Sequence, residues 1–323
     1  MTAVTAGCVR DSGDGANGAS DEAGGDGAIT LALNAAESRV QAAALRGDET
    51  VFAQEWHVPS QGTELLAPAL ADAFTRMRLS LRDVRRIACV QGPGSFTGLR
   101  LVLSTAAGMA RALGARQAGL SYTQLLACGP LLPRGAVLWV LTHARRGLVH
   151  MQAFRMPGET VEVAAVSNDA AQPSPRPAPL PEPLTPVEAA TLSAAVARMV
   201  AARFNDDAAV TRMAAAPSEE DGSGRVFLMG SGATRNRAVL APALAELLPQ
   251  ACFLPARFDH PAPALLLPLA AAAAYGPDDV QPLYVRPCDA EENLPAMAAA
   301  RGMDPEQARR ELARLTSSPL TPA

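Results

Sequence analysis

Short apolar runs bounded by turn residues alternate along this chain with stretches of helical spacing. Residues 28–33 (AITLAL) are apolar at almost every position, as in a strand buried on both faces. Residues 40–45 and 50–56 follow as two further strand segments. Arg46-Gly47-Asp48 between them is turn chemistry, so the three predict an antiparallel meander. From Thr63 the period changes: Leu66, Leu70, Ala73, Phe74 and Met77 recur at helical spacing, and Pro68 in the early turns is expected to kink the helix. Residues 87–90 (IACV) form another buried strand. It runs into Gly92-Pro93-Gly94-Ser95-Phe96-Thr97-Gly98 and then a helix to about Leu113, with Gly114 as the expected C-cap.

The pattern then restarts. Residues 137–141 and 148–154 read as two strands joined by His143-Ala144-Arg145-Arg146-Gly147, as in the opening of a second, similar lobe. Prolines at 173, 175, 177, 179, 181 and 183 impose extended backbone and exclude helix and central strand, so 172–186 is expected to be an exposed insertion. Residues 186–204 read as a helix, 214–224 as an acidic loop and 226–229 as a buried strand ending at Gly230-Ser231-Gly232. Helices near 237–248 and 262–275 complete the lobe. Strand, strand, strand, helix, strand, helix, followed by the same start again, predicts an α/β chain of two lobes with mixed sheets. The expected division is a 28–128 lobe, a 129–290 lobe, and a helical or disordered tail over 291–323. Residues 1–27 hold seven glycines and five acidic groups, cannot offset their ordering entropy by burial, and are expected to be disordered.

Composition narrows the chemistry. The 323 residues carry a net charge of −4, so the surface does not gather phosphate backbones by itself. All 28 basic residues are arginine, which excludes a P-loop lysine or a Schiff-base lysine. Five cysteines, with no C-x-x-C pair, point to a reducing, cytoplasmic setting rather than a disulfide framework or zinc ribbon. No apolar h-region opens the chain, so no signal peptide is expected. The longest apolar stretch, 262–275, is shorter than the ~20 residues of a membrane span.

The segment of highest information is GPGSFTGLR at 92–100. Three glycines permit positive φ and close backbone approach. Ser95 or Thr97 can cap the helix that follows. Arg100 in the first turn opposes the helix dipole and is expected to face a partner or a carboxylate. Downstream, Ser104, Ala106, Ala107, Gly108 and Ala110 thin one helix face, which lets another helix approach. The block misses G-x-x-x-x-G-K and G-x-G-x-x-G in glycine spacing, and it is no G-x-S-x-G elbow around Ser95. A tight strand-to-helix turn without ligand and a protein-interface loop both remain as readings.

V-Q-G-P-G-S-F-T-G-L-R followed by an Ala/Gly-rich helix resembles the signature of the TsaB (YeaZ) family of tRNA threonylcarbamoyladenosine biosynthesis proteins, also called glycoprotease-like. The match rests on Gly92, Pro93, Gly94, Ser95, Phe96, Thr97, Gly98, Leu99 and Arg100. Thr63-Glu64-Leu65-Leu66-Ala67-Pro68, Ala144-Arg145-Arg146 and Pro282-Leu283-Tyr284-Val285-Arg286 agree more weakly. The resemblance spans about 28–288. It implies an actin/hexokinase-like (ribonuclease H-like) ATPase fold and a subunit without catalysis of its own. It implies homodimerisation, or pairing with the paralogue TsaD through N-lobe helices, with TsaE and ATP assisting and tRNA engaged only through the complex. It places the partner interface on the 92–100 block together with Leu66 and Leu70. Weak ATP or ADP binding at a TsaD/TsaB interface is compatible with it; no resident cofactor, metal or membrane is implied.

Departures from the family bear on the nucleotide site. Relatives carry L-D-T-S after the first strand, where this chain has Leu33-Asn34-Ala35-Ala36, and His143 replaces the second lobe's aspartate. A magnesium–phosphate site needs anionic oxygens, and neither position offers one. With Gly230 and Gly232 these are read as degenerate nucleotide-site positions. The family's histidine ahead of the first helix is replaced by Gln61 or Gly62. The four histidines His57, His143, His150 and His260 form no H-E-x-x-H, which disfavours a metallopeptidase. His143 and His150 read as packing or surface residues, His260 as a loop residue, Trp56 and Trp139 as core, and Glu219-Glu220-Asp221 as a solvated run.

Overall fold

The computed structural model describes residues 27–57, 62–157, 179–204, 225–285 and 289–317. β1 (Ile29–Asn34), β2 (Arg39–Arg46) and β3 (Glu49–His57) form the expected meander, turning at Gly47 with φ 58°. β1 is apolar throughout because it is central: it pairs antiparallel with β2 and parallel with β4 (Val84–Gly92), and Ile29, Leu31, Ala32 and Leu33 are fully buried. α1 (Gly62–Arg76) links β3 to β4 and holds Pro68 within it. α2 (Phe96–Leu113) links β4 to β5 (Arg116–Ser121), which runs parallel to β4, and α3 (Tyr122–Ala127) follows at once. The sheet order is β3-β2-β1-β4-β5.

The second lobe repeats this path. β6 (Val137–Arg145) and β7 (Leu148–Arg155) form a hairpin that turns at Gly147 with φ 77°. β8 (Glu182–Pro183) and β9 (Glu188–Thr191) both pair antiparallel with β7. α4 (Leu192–Phe204) leads on, across residues outside those described, to β10 (Val226–Met229), which is parallel to β6. α5 (Ser231–Arg235) and α6 (Arg237–Leu247) then lead to β11 (Cys252–Phe253). The order β11-β10-β6-β7, with β8 and β9 beyond, matches that of the first sheet. Two copies of one mixed-sheet topology are the two-lobed α/β fold of the actin/hexokinase class.

Two expected helices come out shorter. Glu188–Thr191 is strand, because the exposed flank of β7 offers a backbone partner and tertiary pairing overrides local propensity. Of the 262–275 stretch only α7 (Leu266–Ala271) is α-helical, preceded by a 3-10 turn at Pro263–Leu265. The two prolines there each lack a backbone donor. α7 packs on the first sheet, with Leu266, Leu267, Leu269 and Ala270 buried, so the chain returns to the first lobe after completing the second. Residues 275–285 then run along that lobe. α8 (Asp289–Ala300) and α9 (Pro305–Ser317) close the described chain and pack on each other.

One apolar cluster joins β1–β5, α1, α2, α3 and α7 and extends into β6 and β7 through Leu138, Val140 and Phe154. A second lies between β6, β7 and β9 and helices α4 and α6, around Trp139, Leu141, Met199 and Leu240. Trp139 is core as expected, and Trp56 packs against the first cluster. Residues 1–26, most of the proline-rich segment, the acidic loop with Glu219-Glu220-Asp221, Gln61 and Arg286 lie outside the described residues.

Candidate functional site

The 92–100 block is built for close approach to the turn between β1 and β2. Ser95 caps α2, its hydroxyl accepting from the Gly98 N–H at 3.4 Å, and its own N–H donates to the Ala36 carbonyl at 2.6 Å. A Cβ on Gly98 would overlap the Ala35 carbonyl, and one on Gly94 would overlap Ala36. Gly92 sits at φ 134°, with the Leu283 carbonyl 2.7 Å from where its Cβ would stand. The glycines therefore seat the block against Ala35-Ala36 on one side and the returning C-terminal segment on the other. Gly114 ends α2 in the left-handed conformation, as its sequence position predicts.

That turn carries the residue that sequence reading missed. Glu37 follows Ala35-Ala36 directly and reaches across to the second lobe. Its Oε1 accepts from the Ser231 hydroxyl at 2.6 Å; its Oε2 accepts from the Tyr122 hydroxyl at 3.1 Å and lies 3.2 Å from His260 Nδ1. The Ser231 oxygen in turn accepts from the His143 N–H at 3.0 Å. The expectation that this turn lacks an anionic oxygen is corrected: the carboxylate is three residues past Asn34, and protein donors occupy it. His260, expected as a plain loop residue, brings its Nδ1 close to this carboxylate without completing a hydrogen bond. The signal was present in sequence, since Glu37 is the one acidic residue in the β1–β2 connection.

Asn34 serves this turn rather than a ligand. Buried, it accepts from the Ala36 N–H at 2.9 Å and donates to Gln41 Oε1 at 2.8 Å. Gln41 Nε2 donates to the Pro261 carbonyl at 2.6 Å and to Glu55 Oε2 at 2.6 Å, and Glu55 pairs with Arg39. Gly230 stands at φ 101° where a Cβ would overlap the Leu141 carbonyl; a Cβ on Gly232 would come 2.7 Å from the Thr142 carbonyl. Both glycines let α5 lie against β6. Of the four positions read as degenerate nucleotide-site residues, His143, Gly230 and Gly232 meet at this β6–α5 contact, and Asn34 lies across the lobe boundary beneath Glu37.

The protonation preferences around the junction follow from burial and neighbouring charges. Burial, reinforced by Glu37, holds the Tyr122 hydroxyl protonated well above its usual range. Burial raises Asp259, partly offset by the Thr234 hydroxyl that donates to it at 2.9 Å. Burial, then the Arg235 charge, lowers His143. No group of three or more His, Cys, Asp or Glu among the described residues could hold a metal.

The residues assigned to a partner surface divide. Leu66, Leu70 and Leu99 are buried in the first core and correct that expectation: helical apolar spacing marked the face that packs on the sheet. Phe96, Thr97 and Arg100 face outward. The Phe96 ring, 45% exposed, stacks on Tyr284 at 5.6 Å between centroids, and the Arg100 guanidinium carbon lies 3.7 Å from the Phe96 ring centroid. Of the two expectations for Arg100, a partner or a carboxylate, no carboxylate pairs with it among the described residues, where it meets the Phe96 ring.

The family model described as "TsaD: tRNA N6-adenosine threonylcarbamoyltransferase" matches residues 58–240, more than half of the chain. The tRNA threonylcarbamoyladenosine biosynthesis protein TsaB of Escherichia coli K12 is 32% identical over 113 residues, 35% of this chain. The matched region spans about half of that relative, 49% of its length. A Pseudomonas aeruginosa protein described as similar to peptidase YEAZ superposes with a TM-score of 0.54 at 18% identity, covering 80% of this chain and 100% of that one. YeaZ from Pseudomonas aeruginosa gives 0.52 at 16% identity, over 80% and 99% of the two chains. No described helix is long and apolar enough to cross a membrane. The chain belongs to the family described as tRNA N6-adenosine threonylcarbamoyltransferase (TsaD).

Proposed function

We propose that this chain is a non-catalytic partner subunit in the cytoplasmic machinery that transfers threonylcarbamoyl to adenosine of tRNA. One observation carries the reading: at the junction between the lobes the Glu37 carboxylate is engaged by the protein's own Ser231 and Tyr122 hydroxyls, with His260 beside it. Neither Asn34 nor His143 supplies a metal-binding carboxylate. The conspicuous outward feature is instead the exposed end of the 92–100 block. In this reading the chain pairs with a TsaD paralogue through its first lobe, dimerises with itself when alone, and meets TsaE, ATP and tRNA only through the complex.

The test is size-exclusion chromatography with light scattering on the chain, the TsaD paralogue of the same organism, and their mixture. A stoichiometric heteromer is expected, and Phe96→Ala with Arg100→Ala should abolish it. Separate elution at micromolar concentrations, with TsaE, ATP and tRNA present as well, would refute the reading. Turnover of ATP and magnesium by the chain alone would favour an ATP-dependent enzyme instead.

A further inference from the structure

Residues 275–285 do not trail away from the second lobe; they are strapped along the edge of the first. Gly276 exchanges two backbone hydrogen bonds with Gln117 of β5, each 2.8 Å. Asp279 pairs with Arg111 of α2 and accepts from Gln117 Nε2 at 3.1 Å. Val280 lies 3.0 Å from where a Cβ on Gly119 would stand. The Leu283 N–H donates to the Gln91 carbonyl at 2.7 Å, directly before the glycine block. These anchors deliver Tyr284 to the Phe96 ring.

The result is a cluster in which Tyr284 and Arg100 both meet the Phe96 ring, contributed by two chain segments nearly two hundred residues apart. Phe96 and Tyr284 remain 45% and 48% exposed, so the cluster is no part of the core. Among the described residues the Arg100 guanidinium has no partner besides the Phe96 face. The contact with a ring satisfies none of the guanidinium's five N–H donors by a conventional acceptor, and their fork matches a carboxylate. Exposed aromatic area around a fixed arginine is also the composition of an interface hot spot.

We propose that the docking surface of this subunit is composite, with Tyr284 as the positioning residue that props Phe96 and Arg100, and that Arg100 receives an Asp or Glu carboxylate of the protein partner. Charge complementarity selects that occupant: the cluster offers one exposed cation set against the Phe96 ring, which Tyr284 in turn supports. The proposal rests on the partner-subunit reading above and extends it to a second segment and to the chemistry of the group received.

The experiment measures the affinity of the full-length chain for the TsaD paralogue by titration calorimetry, with wild type, Tyr284→Ala, Tyr284→Phe and Arg100→Gln, each checked for an unchanged melting temperature. Loss of one exposed aromatic stack is expected to weaken binding roughly three- to tenfold in Tyr284→Ala, while Tyr284→Phe keeps the ring and the affinity. Wild-type affinity should fall as salt rises, and Arg100→Gln should flatten that dependence. Tyr284→Ala binding as tightly as wild type, while Phe96→Ala loses binding, overturns the composite surface and leaves the partner reading standing. An unchanged salt dependence in Arg100→Gln overturns the carboxylate. A wild-type chain that does not bind the paralogue at all overturns the partner reading and this proposal with it.

Discussion

The Ser231 hydroxyl at the start of α5 donates to Glu37 of the first lobe at 2.6 Å, while its oxygen accepts from the backbone N–H of His143. One side chain thereby ties the β1–β2 turn to both the central strand and the helix start of the opposite lobe. The Glu37 side chain is 14% exposed, so solvent replaces little of what this bond supplies.

A double-mutant cycle follows from that geometry. Ser231→Ala and Glu37→Gln are each expected to lower the urea-unfolding free energy by about 1–3 kcal/mol, the range for a hydrogen bond to a charged group. The double variant should lose clearly less than the sum, because both changes remove the same bond. Strict additivity would show that the lobes are held by their apolar contacts alone.

The glycines of the 92–100 block are expected to separate by what surrounds them. Gly98→Ala drives a methyl into the Ala35 carbonyl, where only backbone movement can make room. The cost should be about 3 kcal/mol or more. Gly108 lies exposed in the same helix with nothing within 4 Å of its Cβ position, so Gly108→Ala should stabilise by about 0.5–1 kcal/mol. Equal effects in thermal denaturation would show that close packing of the block against the turn is not what these glycines provide.

The lowered pKa of His143 sets a sign for pH dependence. The folded state prefers the neutral ring, because burial and Arg235 oppose its charge. The unfolded chain therefore binds the extra proton first, near the ordinary value of 6.5. The contribution is fully present above that value and is lost as pH falls through the window below it. Relative to His143→Gln, wild type should lose stability between neutral and mildly acidic pH in urea titrations. A pH-independent gap would mean that the ring charges without penalty.

How much of this was legible in the sequence depends on range. The β1–β2–β3 meander, β4, α2 with its Gly114 cap, and the β6–β7 hairpin were readable because local period and turn chemistry decide them. The strand at Glu188–Thr191 was not, since only the flank of β7 makes that segment a strand. The 92–100 block was visible as a tight strand-to-helix turn, but what its glycines approach, Ala35 and Ala36, is a contact across about sixty residues. Glu37 escaped for the same reason, as did the contact that Tyr284 makes: each takes its role from a partner that the topology, not the local pattern, brings to it.

The sharpest consequence of the structure for the family motif is a separation between folding and docking residues. Leu66 and Leu99 are buried in the first core, whereas Phe96 lies on the surface a few residues from Leu99 in the same helix. Leu66→Ala is expected to cost about 2–5 kcal/mol in unfolding free energy, as for a buried leucine whose cavity only partly collapses. It should weaken partner binding only as far as the folded fraction falls. Phe96→Ala gives up an exposed ring and its stack on Tyr284, so it should cost no more than about 1.5 kcal/mol in stability. Its effect on the complex should be large by comparison. Measuring unfolding and binding on both variants decides the assignment, since an interface role for Leu66 would appear as lost affinity in a chain that remains fully folded.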